Sequence, residues 1–585
     1  MTSGGWLAAA WVVCAGAASI LFSWERWINP FVDGGREMIV PARLADGQLL
    51  YKDVMYHYGP AAPWFNAAAL KLFGRNLVVL ELVGLAFSAL IFWSLFRLTR
   101  RAGSRLSAAA GTALAAALCV GAPNGGAFLF PYAFDALFAL AGAFFALERL
   151  SGPASRLVNL SCAMGLALAL ASKPEVGGAA ALVVLASAFR SERRREDLRR
   201  HATILLAGVG SAGLAYAVAF RGLTWEISCC EGPLSLFSPP QEWRNVFRVA
   251  SGLADPAGSA NRLLTATFLD LLLLGAVGFL ASRRRPSSRA IVSPWEMSWF
   301  VLLVAAVAFL ASHTGGSIED RLPPLFLPMP IIALAAAGWS LRSPLAGASR
   351  SRFLLFAFSG LFATRVVIGL AYGAYTTPYS IFALPGLIAT AAVLVFDRLG
   401  HRLPDARAFR RCAAALFAAL AVLGVLRLER LRPRSAWVLV KTDAGSLHMP
   451  AERANAVRET LEYLRWHARH TDRLVGFPET GFFNFVTGLV NPLRQDTIYP
   501  AILDAAAEER VAQRLENEKT GPRFVLLINQ PAPAFGQFVF GADYAVRIWQ
   551  VVSRRYRLAA SFGNAPADAP VGWPRFFIRI YERAP

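Results

Sequence analysis

About thirteen long apolar stretches decide what this chain can fold into. They lie near residues 6–23, 77–97, 106–121, 128–148, 157–172, 174–190, 202–220, 263–282, 295–312, 323–341, 353–371, 379–397 and 409–427. A helix that spans a bilayer needs about 20 mostly apolar residues, because its backbone must satisfy itself across roughly 30 Å of hydrocarbon. With 585 residues a soluble chain would form roughly four domains. Here 56% of the residues are hydrophobic and 17% charged, and the apolar residues come in blocks rather than at periods of two or 3.6. The expected class is a polytopic α-helical membrane protein. Six cysteines are too few for a secreted disulfide scaffold. The first block has no basic segment before it and no small-x-small site before Trp24, so it does not read as a cleaved signal peptide.

The formal charge of +21 would suggest nucleic acid in a soluble protein. The arginines instead cluster in short loops between apolar blocks, which is a topology signal. The loops near 97–105, 149–156, 190–201, 283–289, 342–352 and 398–411 hold 24 Lys and Arg. The short loops of opposite parity, 121–128, 173–174, 313–322 and 372–378, hold two, Lys173 and Arg321. That alternation places the N-terminus in the cytoplasm and predicts an odd number of spans. No nucleic-acid partner is expected.

Three external segments are long: 24–76, 221–262 and the residues after about 428. Residues 1–432 read as a transmembrane domain and 433–585 as a soluble, external α/β domain. Within the latter, 451–469 has Ala454, Val457, Leu461 and Leu464 on one helical face. Strands are expected at 474–477, 524–528 and 576–581, with helices at 501–519 and 543–556.

Ionisable residues inside a span usually face a cavity or a partner. Asp135, Asp270, Arg365, Glu81 and Lys173 all fall in the outer halves of their helices, so a polar cavity open to the external face is expected. In the first external loop, Asp33 is followed by Gly34 and Gly35, which would let the backbone turn sharply. An interfacial helix is expected at 35–46, with Met38, Ile39, Ala42 and Leu44 apolar and Arg36, Glu37, Arg43 and Asp46 polar. A carboxylate there would lie level with a lipid phosphate, or would simply cap the helix. Cys229-Cys230 reads as a pair of free thiols, since a disulfide between neighbours is strained. No Walker A loop, HExxH or zinc spacing is present.

The order Asp33, amphipathic helix, Gly47-x-x-x-Tyr51-x-Asp53, Gly59-Pro60, then a helix ending Leu72-Phe73-Gly74 resembles the start of GT-C membrane glycosyltransferases. It is similar in particular to the bacterial branch near protein O-mannosyltransferases and lipid A aminoarabinose transferases. Tyr132-x-x-Asp135-Ala136-Leu137, Ser172-Lys173-Pro174-Glu175, Arg321-Leu322-x-x-Leu325-Phe326-Leu327-Pro328, Asn491-Pro492 and Gly541-Ala542-Asp543-Tyr544 extend the resemblance over nearly the whole chain. It implies a hexosyl or pentosyl transferase of the bacterial inner membrane that uses a polyprenyl-phosphate sugar. The acceptor would be an envelope glycan, lipid or protein. Asp33 is implied as the catalytic base. Asp135 is implied as a second acidic site, which in some members helps hold a divalent metal (Mg, Mn or Zn). Many members carry two adjacent acidic residues in the loop. Here glycines follow Asp33, and Glu37 is the nearest substitute. Lys52, His57, Lys173, Arg321 and Arg365 are the candidate cations for the donor phosphate. The rival readings are a lipid-linked glycan flippase and a non-catalytic envelope scaffold. A flippase would explain the spans and the charged cavity but not Asp33 on an interfacial loop or the α/β tail, and an intact Asp33 and Asp135 speak against a scaffold.

The arginine alternation has a direct test. A reporter that fluoresces only in the cytoplasm, fused after Pro585, is expected to stay dark. A bright fusion at normal expression overturns the odd span count.

Overall fold

The computed structural model describes residues 3–26, 28–122, 127–191, 194–224, 244, 248, 253–282, 326–367, 381–400, 406–431, 436–479, 481–500, 502–530, 539–566, 571 and 573–584. Twelve of the thirteen apolar blocks fall on helices within this set. They are α1 (Ser3–Ser23), α4 (Leu77–Ala102), α5 (Arg105–Cys119), α6 (Phe134–Leu150), α7 (Arg156–Ser172), α8 (Pro174–Phe189), α9 (Arg194–Ala219), α10 (Pro256–Ser282), α11 (Met329–Ser340), α12 (Gly347–Val367), α13 (Leu384–Val393) and α14 (Ala406–Leu431). The block at 295–312, Arg321 and the Cys229-Cys230 pair lie outside the described residues. Among the described residues, five helices are long and apolar enough to cross a membrane by length and composition: Leu77–Ala102, Arg194–Ala219, Pro256–Phe279, Ile381–Leu399 and Ala406–Leu428. The chain is a multi-pass membrane protein.

The arginine-rich loops meet one another at one end of the bundle. Arg97 Nε and Arg101 Nη2 reach Glu148 Oε1 at 2.7 and 3.1 Å, joining the ends of α4 and α6. The Ser104 amide donates to Asp397 Oδ2 at 2.9 Å, and the Leu345 amide donates to the Arg190 carbonyl at 2.8 Å. Of the six loops expected on the cytoplasmic side, 97–105 is thereby linked to the neighbourhoods of both 149–156 and 398–411, and 190–201 to 342–352. The sixth, 283–289, lies outside the described residues. Loops of the other parity gather at the opposite end. The Gly59 amide donates to the Ser172 carbonyl at 2.9 Å, and the Leu77 amide to the Ala444 carbonyl at 2.8 Å.

That opposite end carries the first loop and the C-terminal region. The loop holds α2 (Gly34–Ala45) and α3 (Ala61–Phe73). The C-terminal region begins with an antiparallel hairpin, β1 (Trp437–Thr442) and β2 (Gly445–Pro450). It continues with α15 (Ala451–His467), β3 (Leu474–Phe477), α16 (Gly481–Thr487), α17 (Ala505–Glu516), β4 (Phe524–Ile528), α18 (Val546–Arg555), β5 (Tyr556–Gly563) and β6 (Phe577–Arg583). Four strands form a sheet in the order β3-β4-β6-β5, with β3 and β4 parallel and the other pairs antiparallel. Strands β3 and β4 are buried throughout, as expected of short apolar runs in a sheet covered on both faces.

Helix α2 departs from the expectation of an interfacial helix with a wet polar face. Gly34 to Arg43 are all buried, because the C-terminal region lies over the loop. Phe31 packs against Phe482, Phe483 and Phe576. The polar face therefore meets partners instead of water. Arg43 Nη1 contacts both oxygens of Asp496 at 2.9 Å, while Nη2 donates to the carbonyls of Asp53 and Leu493. Arg494 Nη2 and Nε donate to the carbonyls of Tyr51 and Lys52.

The Arg43–Asp496 pair is almost wholly buried. Losing one member of such a pair strands the other charge and costs about 3–5 kcal/mol, whereas replacing both with apolar residues is far better tolerated. Asp496→Ala should lower the apparent Tm in detergent markedly. The double variant Arg43→Met, Asp496→Leu should recover most of that loss in the same thermal-shift assay.

Candidate active site

Asp33 occupies the N-cap position of α2 with φ +58°, yet its side chain makes no capping bond. It reaches instead to Arg36, with Nη1 to Oδ1 at 2.7 Å. Its side chain keeps 22% exposure, and among the described residues Oδ2 has no hydrogen bond. The turn arises at Asp33 itself; Gly34 and Gly35 lie within the first helical turn.

Arg36 organises the surrounding carboxylates. Its Nε and Nη2 donate to Glu37 Oε1 at 3.2 Å, and Nη2 donates also to the Tyr132 carbonyl at 3.0 Å. Glu37 is 3% exposed. Its Oε2 accepts from the Phe134 amide at 3.0 Å, at the start of α6. Burial raises the Glu37 carboxyl above the usual range, and Arg36 opposes that shift. Asp135 follows one residue later on α6, fully buried. Its Oδ2 accepts from the Tyr56 hydroxyl, and among the described residues its Oδ1 has no hydrogen-bond partner. Burial, with Asp135 beside it, holds the Tyr56 hydroxyl well above its ordinary pKa.

Lys173 sits in the break between α7 and α8. Its Nζ lies 4.4 Å from the Tyr58 ring centre and 3.3 Å from the Tyr132 hydroxyl. Arg36 lies 5.4 Å from the same Tyr58 ring, so two cations flank one aromatic. Gly59 makes this possible. A Cβ there would stand 2.1 Å from the Ala171 carbonyl oxygen, so only glycine lets the loop seat Tyr58 beside Lys173.

The structure thus brings together Asp33, Glu37, Asp135 and Lys173 from three separate segments. His57 is in the same loop, but burial, with Arg36 as a second cause, pushes its pKa down to about 4. Burial thus disfavours its charged form. Lys52 is exposed on the loop. The side chain of Arg365, near the end of α12, is outside the described residues, as is Arg321. Asp270 lies on α10, which packs chiefly against α14, away from this cluster.

Glu479 is the residue that sequence reasoning missed. It is 1% exposed. Its Oε2 accepts from the Asp33 amide at 3.0 Å and its Oε1 from the Arg36 amide at 3.2 Å. Burial first, and Asp33 second, push its carboxyl up to about 8.

The donors do not fit a resident divalent ion. Both Glu37 oxygens are engaged, Asp135 offers one free oxygen, and no group of three His, Cys, Asp or Glu that could hold a metal occurs among the described residues. A cavity of about 320 Å³ opens elsewhere, between the β1–β2 hairpin, α15 and α16. It shares no residue with the Asp33 cluster.

No family model matches the chain, and no curated protein matches it. It is similar to several solved structures at low identity. One is the Archaeoglobus fulgidus oligosaccharyltransferase in complex with Zn and sulfate, at 14% identity and a TM-score of 0.47, covering 89% of this chain and 68% of that one. A second is ArnT from Cupriavidus metallidurans in the apo state, at 14% identity and a TM-score of 0.42, covering 99% and 98%. A third is the arabinofuranosyltransferase AftD from Mycobacteria, at 16% identity and a TM-score of 0.40, covering 98% and 40%.

The depressed pKa of His57 sets an acid limit. The unfolded chain binds a proton near pH 6.5 that the folded state refuses until about pH 4, so stability falls as pH drops through that window. His57→Gln should flatten the acid side of a detergent Tm-versus-pH curve between about pH 6.5 and 4.

Proposed function

We propose that this chain is a glycosyltransferase that moves a sugar from a polyprenyl-phosphate donor to an envelope acceptor at the external face of the bacterial inner membrane. The observation that carries the reading is the state of Asp33. Its carboxylate is excused from helix capping, is held through Oδ1 by Arg36, and keeps Oδ2 unengaged at a partly open position. The sequence resemblance to GT-C enzymes is anchored on this same residue.

The chemistry is a single displacement. The acceptor hydroxyl gives its proton to Asp33 Oδ2 as its oxygen bonds to the anomeric carbon. The bond from that carbon to the phosphate oxygen breaks, and polyprenyl phosphate leaves with the electron pair. Attack opposite the leaving group inverts the anomeric centre. The departing phosphate gains charge, and a buried cation stabilises it most where water is excluded. Lys173 is the candidate cation best supported by its surroundings. Its ammonium is buried between two aromatic rings, with the half-exposed Glu175 carboxylate 3.7 Å away. Residues 433–585 are proposed to be the periplasmic domain, and all thirteen apolar blocks to be spans.

Purified protein incubated with a panel of polyprenyl-phosphate sugars should release polyprenyl phosphate from at least one. Asp33→Asn keeps the shape but cannot take the proton, so transfer should fall about 10²–10⁴-fold while donor binding persists. A folded Asp33→Asn variant whose rate stays within about threefold of wild type, far short of the loss of a general base, removes the case for an enzyme.

A further inference from the structure

We propose that Glu479 is a positioning residue: it caps α2 in place of Asp33, and so leaves the Asp33 carboxylate available to the reaction. This inference rests on the transferase reading for its catalytic consequence, though its structural half stands on geometry alone.

The amides at the start of a helix have no partner within it and take side-chain acceptors, most often from the N-cap residue itself. An aspartate at that position ordinarily folds back onto the amide two or three residues on. Asp33 does not. The amide it would have capped, that of Arg36, donates to Glu479 Oε1, and the Asp33 amide donates to Glu479 Oε2. One carboxylate, 446 residues away in sequence, satisfies both donors.

Backbone contacts hold Glu479 in place. Gly481 opens α16, and a Cβ there would stand 2.8 Å from the Gly35 carbonyl oxygen and 2.6 Å from Ile39 Cγ2. A Cβ on Gly35 would stand 3.0 Å from the Phe482 amide nitrogen. The two glycines let the first turns of α2 and α16 touch, which brings residue 479 within hydrogen-bonding reach of α2. The Ile498 amide donates to the Pro478 carbonyl at 2.7 Å, and the Tyr499 hydroxyl donates to the Phe31 carbonyl at 3.2 Å. The strand-end segment and the loop before Asp33 are fastened on both sides of the carboxylate. The C-terminal region is therefore part of the active site and does more than cover it.

The test uses the full chain in detergent or nanodisc, with Glu479→Gln and Gly481→Ala. Glutamine keeps the shape and one acceptor oxygen but turns an N–H toward the second amide. Alanine at 481 pushes the backbones apart without touching the carboxylate. Hydrogen exchange of a peptide covering residues 28–40 should quicken in both variants, and should stay as in wild type for Asp33→Asn. Displacing a reacting group by about 1 Å costs on the order of 10²-fold, so kcat should fall by about 10- to 100-fold with donor KM within about threefold. Glu479→Asp should recover part of the rate. Unchanged exchange in both variants, or quickened exchange with wild-type kcat, overturns the proposal. If wild-type protein transfers no sugar from any donor, the transferase reading fails, and the exchange measurement still decides whether Glu479 caps α2.

Discussion

A buried helix must find acceptors for its first amides, and in this chain that requirement binds the two ends of the sequence together. Helix α2 lies under the C-terminal region with Gly34 through Arg43 buried. Water cannot serve its N-terminus, and an unpaired buried amide costs about 1–3 kcal/mol. Glu479 supplies the acceptors. Once that is settled, Asp33 has no structural duty for its side chain, and Arg36 can take one of its oxygens. The candidate base and the docking of the C-terminal region follow from the same two hydrogen bonds.

The remaining site residues are delivered by helix ends rather than helix middles. Glu37 reads the start of α6 through the Phe134 amide, and Asp135 stands in the first turn of that helix. Lys173 occupies the break between α7 and α8, where its extended backbone separates two helices. Helix ends expose backbone groups that need partners, and Glu37 satisfies one of them at the start of α6. The opposite face uses charge differently. Arg97 and Arg101 converge on Glu148, an arrangement that fastens helices together.

Much of this was legible in advance, for identifiable reasons. The apolar blocks mark helices because a span must be long and continuous, so twelve of thirteen coincide with described helices. Strands β3 and β4 were legible as short apolar runs between polar turns. The hairpin β1–β2 was not, because Trp437–Thr442 and Gly445–Pro450 alternate only weakly in burial. Asp33 was legible through its place after the first span. Glu479 left no such mark: a single glutamate after a strand carries no local pattern, and its role exists only once the chain has brought residue 479 to residue 33. The same holds for Arg43, which reads as the wet face of an amphipathic helix until Asp496 is placed against it. His57 read as a cation by type, and its burial disfavours the charged form.

The strain at Asp33 sets one interaction against another. Asp33 sits at φ +58°, ψ −37°, a sparsely populated conformation for a non-glycine residue that costs on the order of 1–3 kcal/mol. Relaxing that torsion would turn the Asp33 amide away from Glu479 and break a hydrogen bond, which contributes about 0.5–1.5 kcal/mol. It would also leave the amide buried without an acceptor. That hydrogen bond opposes the torsional cost and holds the Asp33 backbone where it stands. Its consequence is functional under the transferase reading. The backbone of Asp33 is fixed by forces that make no use of its carboxylate, so protonation of that carboxylate during a reaction would leave the loop where it stands. A base that also capped its own helix would loosen its anchor each time it took a proton. Dividing the two tasks between Asp33 and Glu479 removes that conflict.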